Sequence, residues 1–393
     1  MYLIKHINIS NNITSKLSKT LVILKGDHMI KDELYEQHID DMFGENSILK
    51  KDYSHEQIDH MLERLINCLP NSGKLYKYRL IDGRSFEYIY NCLRDKYLWL
   101  SKPIDLNDDD DTNLNIDLEK DIEILFDFVK ENPEKFISFI LSEVIKNEEY
   151  QKILLENKND FIRYFNFERQ GLTDEEIIKL LLSYGVKYHV AQDQLVKYKK
   201  FIFKFKKDIE SFAKENTFKL VKLSQEIREK AFVYSMSDSY DIDEMWGHYS
   251  NNNGFCIEYD YNKALCMDYK LKRKLINTFK VIYKDKDYFS LVSTFRASII
   301  DDKKMMAEQN KKANLQILTK KVGWSSEREW RLLLENLNDN RLYVDLVSAL
   351  IIDDRSINTD NARKLINLAK INGWNITIRK RDIYNKHYYE SLK

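Results

Sequence analysis

At 393 residues the chain is long enough for one large domain or two to three ordinary ones. Lysine plus arginine equals aspartate plus glutamate at 63 each, so no global charge excess argues for nucleic acid or a membrane surface. Apolar residues make up 43% and aromatic residues 12%, ample material for a core, while three prolines and ten glycines argue for a compact, helix-rich chain without long linkers. Cys68, Cys92, Cys256 and Cys266 contain no C-x-x-C pair and read as buried thiols in a reducing compartment, not as a disulfide scaffold or a zinc site. No stretch approaches the 18 apolar residues of a spanning helix, and the first ten residues lack the apolar run of a signal peptide. The expectation is a cytoplasmic protein with no membrane contact.

Residues 1–74 read as a mixed α/β preface. Residues 21–24 fit a strand. Ile58, Met61, Leu62, Leu65 and Ile66 recur at the spacing of an amphipathic helix over 55–69, which Pro70 and Gly73 stop. His55 and His60 lie five apart, do not share a helix face, and read as surface residues. Residues 75–80 alternate as a strand with Leu75, Lys77 and Arg79 on one face. Gly83 then turns the chain, and Ser85 is placed to cap a helix carrying Phe86, Ile89, Tyr90 and Leu93. A second strand over 97–101 runs into an acidic loop, residues 105–113. That loop is no EF-hand, because Asp110 and Ile116 stand where the glycine and the bidentate glutamate belong. It reads as a solvated or helix-capping loop, with a magnesium site as its functional alternative.

From about 116 to 230 the period is helical, with stripes such as Ile122, Leu125, Phe126 and Val129, and a helix start at Thr173–Glu176. Residues 197–207 interleave lysines with Tyr198, Phe201, Phe203 and Phe205, read as aromatics buried under a lysine fringe. Segment 112–230 is therefore expected to be an all-helical insertion in a discontinuous α+β core made of 75–111 and 231–393. In the second part of that core, strands are expected over 232–235, 255–260, 279–283, 341–347, 349–352 and 374–378. Helices are expected over 243–250, 301–321 and 359–370. Residues 321–331, K-V-G-W-S-S-E-R-E-W-R, end on a strand that puts Glu327, Glu329 and Arg331 on one face. Taken alone, this is a solvated face with a Glu–Arg cross-link. No glycine-rich dinucleotide or P-loop signature is present, which disfavours a kinase, an NTPase or a dehydrogenase.

Several short blocks occur in a familiar order: Tyr78-Arg79, Ser101-x-Pro103 with Asn107-Asp108, Met245-Trp246-x-His248-Tyr249 with Gly254-Phe255-Cys256-Ile257, and Trp324-x-x-Glu327-x-Glu329-Trp330-Arg331. Together they resemble the bacterial domain of unknown function 2971 family, from about residue 75 to the C-terminus. Asp109 departs from that pattern, standing where the family usually has proline. The family brings no established chemistry. Its members often look like accessory or defence genes, which implies a role against phage or as a toxin.

A second resemblance concerns chemistry. Arg79, Ser235-x-Ser237 and Glu327-x-Glu329 are similar, in order, to the Arg…Ser-x-Ser…Glu-x-Glu blocks of arginine-type mono-ADP-ribosyltransferases. This resemblance implies a mixed or antiparallel ADP-ribosyltransferase-like sheet core and NAD as substrate. It also implies a nucleic-acid or protein acceptor. Breaking the nicotinamide–ribose bond develops positive charge on the anomeric carbon. On this reading Glu329 holds the ribose and stabilises that charge, Glu327 orients or deprotonates the acceptor, and Arg79 clamps the pyrophosphate. Ser235 or Ser237 steadies the glutamate or the ribose, Trp246 or Tyr249 stacks on nicotinamide, and His248 is a candidate acid–base group. Two rival readings stand beside it. One is a metal-dependent nuclease or hydrolase using the acidic loop 105–111 with Glu327 and Glu329. The other is a non-catalytic sensor that meets a partner protein through 112–230. The competing reading of Trp246 and Trp330 is as core anchors.

Overall fold

A computed structural model describes residues 27–43, 53–106, 115–139, 152, 155–156, 158–285, 290, 303–335, 337–382 and 386–392. Short runs of alternating character give the strands β1 (Lys74–Arg79), β2 (Tyr97–Trp99), β3 (Ala231–Ser237), β4 (Phe255–Asp260), β5 (Thr278–Lys280) and β6 (Ile282–Tyr283). They continue with β7 (Thr319–Lys320), β8 (Glu329–Glu335), β9 (Arg341–Tyr343), β10 (Val347–Asp353), β11 (Asn375–Arg381) and β12 (His387–Ser391). Eight of these form one sheet in the order β12-β11-β10-β4-β1-β3-β8-β5. Its neighbours are antiparallel except β10 and β11, which run parallel. A parallel pair needs a crossover, and the helix Asp360–Asn372 supplies it. The fold class is α+β with a mixed sheet.

The chain divides into two compact units. The first, Met1–Asn113 with Gln225–Lys286 and Asn314–Lys393, holds the sheet. One face of this sheet carries Leu75, Phe232, Tyr234, Phe255, Ile257, Trp330 and Leu332 into a single core with the apolar stripes of helices His55–Cys68, Arg84–Arg94 and Asp360–Asn372. The first of these helices opens on a capping box, Ser54 with Gln57, and buries the stripe from Ile58 to Ile66. Residues of the expected preface thus pack in the same core as the sheet. The opposite face carries Tyr76, Tyr78 and Cys256 against Ile242 and Trp246, at the helix Asp243–Ser250.

Two local expectations are corrected. Ser85 does not cap a helix: the helix begins at Arg84, and Gly83, at φ 86°, makes the turn into it without a side-chain cap. Residues 279–283 are not one strand, because Val281 separates β5 from β6, which lie in different sheets. The strand expected at 21–24 and the loop residues 107–113 lie outside the described residues.

The second unit, Leu114–Ser224 with Asp287–Ala313, is helical wherever it forms regular elements among the described residues. Thr173 and Glu176 form the expected capping box. Phe128, Phe165, Leu125, Ile177 and Leu181 fill its core, joined by Tyr198 from the long helix Tyr188–Lys230. Of the aromatic residues under the lysine fringe, Phe203 is the exception and stands exposed. No described helix is long and apolar enough to cross a membrane.

The helix Asp27–Phe43 had no clear pattern in the sequence. Within the first unit it packs through Ile39 against Phe279 and Leu318, and it buries His38 completely beside the Phe279 ring. Burial pushes His38 down to about 4. Its folded value lies below the unfolded one, so its contribution to stability is present above pH ~6.5 and is lost as pH falls toward 4. Urea unfolding of the native protein at pH 7 and pH 4, compared with His38→Leu, is expected to show an extra loss on the order of 3 kcal/mol in the native protein alone. Equal losses in both proteins would contradict a neutral buried imidazole.

Candidate functional site

β1 and β3 pair at Tyr76 and Ser237. Toward the start of β3 the next bridge is made by Ser101, which exchanges both backbone hydrogen bonds with Val233 at 2.9 and 2.8 Å. β1 meanwhile stays paired with β4 along its whole length. The sheet therefore opens between β1 and β3. The carbonyl of Ser235 in this gap still needs a donor, and Lys77 Nζ supplies it while lying 4.1 Å from the centre of the Tyr234 ring. A cavity of about 280 Å³ fills the opening. Its walls include Lys77 and Arg79 from β1, Ser235 and Ser237 from β3, Tyr249 from helix Asp243–Ser250, and Lys320, Glu327, Glu329 and Arg331.

On one side of the cavity four buried charges alternate. Arg331 donates from Nε to Glu329 Oε1 at 2.8 Å and from Nη2 to Oε2 at 3.2 Å. Lys320 Nζ donates to Glu329 Oε2 at 3.2 Å and to Glu327 Oε2 at 2.6 Å. Tyr249 Oη donates to Glu327 Oε1 at 2.5 Å. These four charged side chains are each less than a tenth exposed. Burial alone would raise the Glu329 carboxyl, but Arg331 and Lys320 hold it down at about 2. Burial likewise opposes the Lys320 charge, and Glu329 and Glu327 outweigh it, so this ammonium stays protonated. Burial and the Glu327 carboxylate push the Tyr249 phenol up, which keeps it a donor. Across the cavity, burial and the neighbouring Arg79 pull Lys77 well below the ordinary lysine range, against the raising influence of Glu329 and Glu327.

A carboxylate offers about four acceptor positions. Glu329 meets three donors, two from Arg331 and one from Lys320. Glu327 meets two, Tyr249 and Lys320. Of the two, Glu327 has more room for a further donor.

The turn, not strand alternation, brings Glu327 here. Val322–Glu327 is a 3-10 turn ended by Arg328 in the left-handed region at φ 48°, and β8 begins only at Glu329. Its backbone carbonyl is held by Ser237 Oγ at 2.8 Å. Glu329 and Arg331 do share a strand face, but that face is buried, so the reading as a solvated surface fails. By register, Tyr76, Ser237 and Glu329 stand on one side of the sheet. Arg79, two residues beyond Lys77, projects from the other and reaches the same cavity because the strands part.

Of the remaining candidates, Ser235 and Tyr249 line the cavity and Trp246 and His248 do not. Trp246 is fully buried, edge-on to Tyr78 with ring centres 5.3 Å apart and with the Arg379 guanidinium 4.5 Å over its ring, so it has no face to offer a ligand. His248 points from the exposed side of the same short helix. Gly254 has a packing reason: a Cβ there would lie 2.1 Å from the Arg79 carbonyl oxygen and 2.6 Å from Ser250 Cβ, so its absence lets the helix turn close against the end of β1. Lys320 was missed from the sequence because it reads as one more residue of a lysine-rich helix; that helix stops at Ile317. Lys77 was visible only as the neighbour of Arg79 on an alternating strand. Among the described residues no group of three or more His, Cys, Asp and Glu is arranged to hold a metal ion.

Residues 245–332 match the model of a family described as "Protein of unknown function (DUF2971)". The match covers the helix with Trp246 and Tyr249, β4, and the turn and strand that carry Glu327, Glu329 and Arg331. No curated protein and no solved structure matches the chain.

Proposed function

We propose that this cavity binds NAD and that the protein is an ADP-ribosyltransferase-like enzyme. The observation that supports the reading is a pair of buried carboxylates facing a hollow that also receives Arg79 and Lys77. Buried ion networks of this kind add little stability over well-packed apolar residues, so an all-charged wall beside a cavity suggests use rather than support. A metal-assisted hydrolysis fits less well, because Lys320 and Arg331, already bonded to these carboxylates, would repel a metal cation.

The chemistry matches what NAD requires. When the glycosidic bond breaks, its electron pair leaves with the nicotinamide nitrogen, which becomes neutral. No proton donor is needed at the leaving group, consistent with a site from which His248 is absent. Positive charge passes to the anomeric carbon, and a fixed carboxylate in a dry site stabilises it. Glu327, with acceptor positions open, is the group placed to take a ribose hydroxyl and then the proton of the incoming acceptor. Glu329 acts as a positioning residue that locks Lys320 and Arg331 around it. Lys77 and Arg79 face the phosphates.

Incubation of the purified protein with labelled NAD and cell lysate tests the reading, alongside Glu329→Gln. Nicotinamide release and label transfer by the native protein, reduced in the variant, are expected. Equal transfer by both would remove Glu329 from the mechanism, and no NAD loss in any fraction would remove the enzyme.

A further inference from the structure

The cavity of about 280 Å³ is small for a whole dinucleotide, since sites for ligands of drug size run from roughly 300 to 1,000 Å³. A second hollow of about 230 Å³ adjoins it. Arg79, Trp99, Ser101 and Tyr234 line both, so the two spaces meet where the sheet opens. Their linings differ in character. The first carries Lys77, Lys320, Glu327, Glu329 and Arg331 beside aromatic residues such as Tyr249 and Trp324. The second is walled by Tyr88, Tyr97 and Trp99 and by aliphatic residues, with the hydroxyls of Tyr234 and Tyr259 bonded to each other at 2.6 Å. Tyr88 and Trp99 meet edge to face with ring centres 5.0 Å apart, and Tyr88 is 40% exposed at this wall. At the junction the Arg79 Nε is buried without a hydrogen-bond partner. A buried donor left unmade costs free energy, and an anion beside it would recover that cost.

Resting on the NAD reading, we propose that the second hollow seats the adenine nucleoside end of the ligand, with the diphosphate at Arg79 between the two spaces. Aromatic walls suit a planar base, which stacks without needing a charge. The paired tyrosine hydroxyls provide one donor and one acceptor for ring nitrogens; burial raises both phenols, so they remain protonated. The guanidinium at the junction suits a bidentate phosphate contact. The arrangement divides one ligand into a reacting half among the carboxylates and a recognised half among the aromatics.

Adenosine diphosphate alone, which lacks the reacting half, is the probe. Cys92 lines the second hollow and Cys266 is exposed elsewhere, so thiol alkylation followed by mass spectrometry reads occupancy with an internal reference. Adenosine diphosphate is expected to slow alkylation of Cys92 at least several-fold and leave Cys266 unchanged. Tyr88→Ala, at a partly exposed position outside the first cavity, is expected to weaken its binding about tenfold, the size of a lost stacking contact. Binding of adenosine diphosphate that protects neither Cys92 nor responds to Tyr88→Ala would overturn the assignment, as would no binding at millimolar concentration. The two proposals fail separately. Protection of Cys92 in a protein that never cleaves NAD upholds the subsite and removes the enzyme. Cleavage of nicotinamide mononucleotide without protection of Cys92 does the reverse.

Discussion

Glu327→Gln is expected to lower label transfer from NAD by roughly 10²- to 10⁴-fold, the usual contribution of a positioned acid–base group, and to cost less stability than the loss of Arg331. The physical reason is an asymmetry between two neighbouring acids. Glu327 accepts from Tyr249 and Lys320 only and keeps acceptor positions for a ligand. A glutamine amide preserves the shape and one acceptor oxygen for Tyr249, but it neither takes a proton nor stabilises a developing cation. Its loss should therefore fall on kcat more than on folding, because Lys320 keeps Glu329 as a charged partner. Steady-state rates at saturating NAD, with circular dichroism melts of both proteins, separate the two. A variant that melts early with normal turnover per folded molecule would assign Glu327 a structural role.

Arg331→Met reverses that pattern and is expected to cost about 3–5 kcal/mol of stability, the range found when one partner of a buried ion pair is removed. Arg331 is 1% exposed, and it provides two of the three donors on Glu329. Without it a buried carboxylate is left with Lys320 as its remaining cation. Replacing both partners, Arg331→Met with Glu329→Leu, removes the uncompensated charge and is expected to recover most of the loss, because apolar residues of similar volume pack as well as a buried pair. Chemical unfolding of the two single variants and the double one gives the coupling directly. Additive losses would mean that the pair does not act as a unit.

The sheet was largely legible because its signal is local. Strand alternation places Leu75, Lys77 and Arg79 on one face and Glu329 with Arg331 on another, and both placements follow from residues two apart. The helix at 55–68 was legible for the same reason, since its stripe and capping box lie within one segment. What the sequence did not disclose depends on distant pairing. The opening of the sheet arises where β1 leaves β3 and Ser101 takes its place, an event between segments about 130 residues apart. Lys320 joins the site only because its helix ends early, and Glu327 only because Arg328 adopts a left-handed turn that no glycine announced. Trp246 shows the opposite error: an aromatic residue beside Tyr249 in sequence looks like a ligand platform until the helix turns it inward, onto Tyr78 and Arg379. His248, one turn of argument away in the sequence, faces outward for the same geometric reason.

A crystal structure with a non-cleavable NAD analogue tests the central claim most directly. The account predicts the nicotinamide riboside in the opening between β1 and β3, a ribose hydroxyl within hydrogen-bond reach of Glu327, and phosphate on Arg79. An analogue bound with its ribose away from both glutamates, or a cavity left unchanged at saturating concentration, would contradict it.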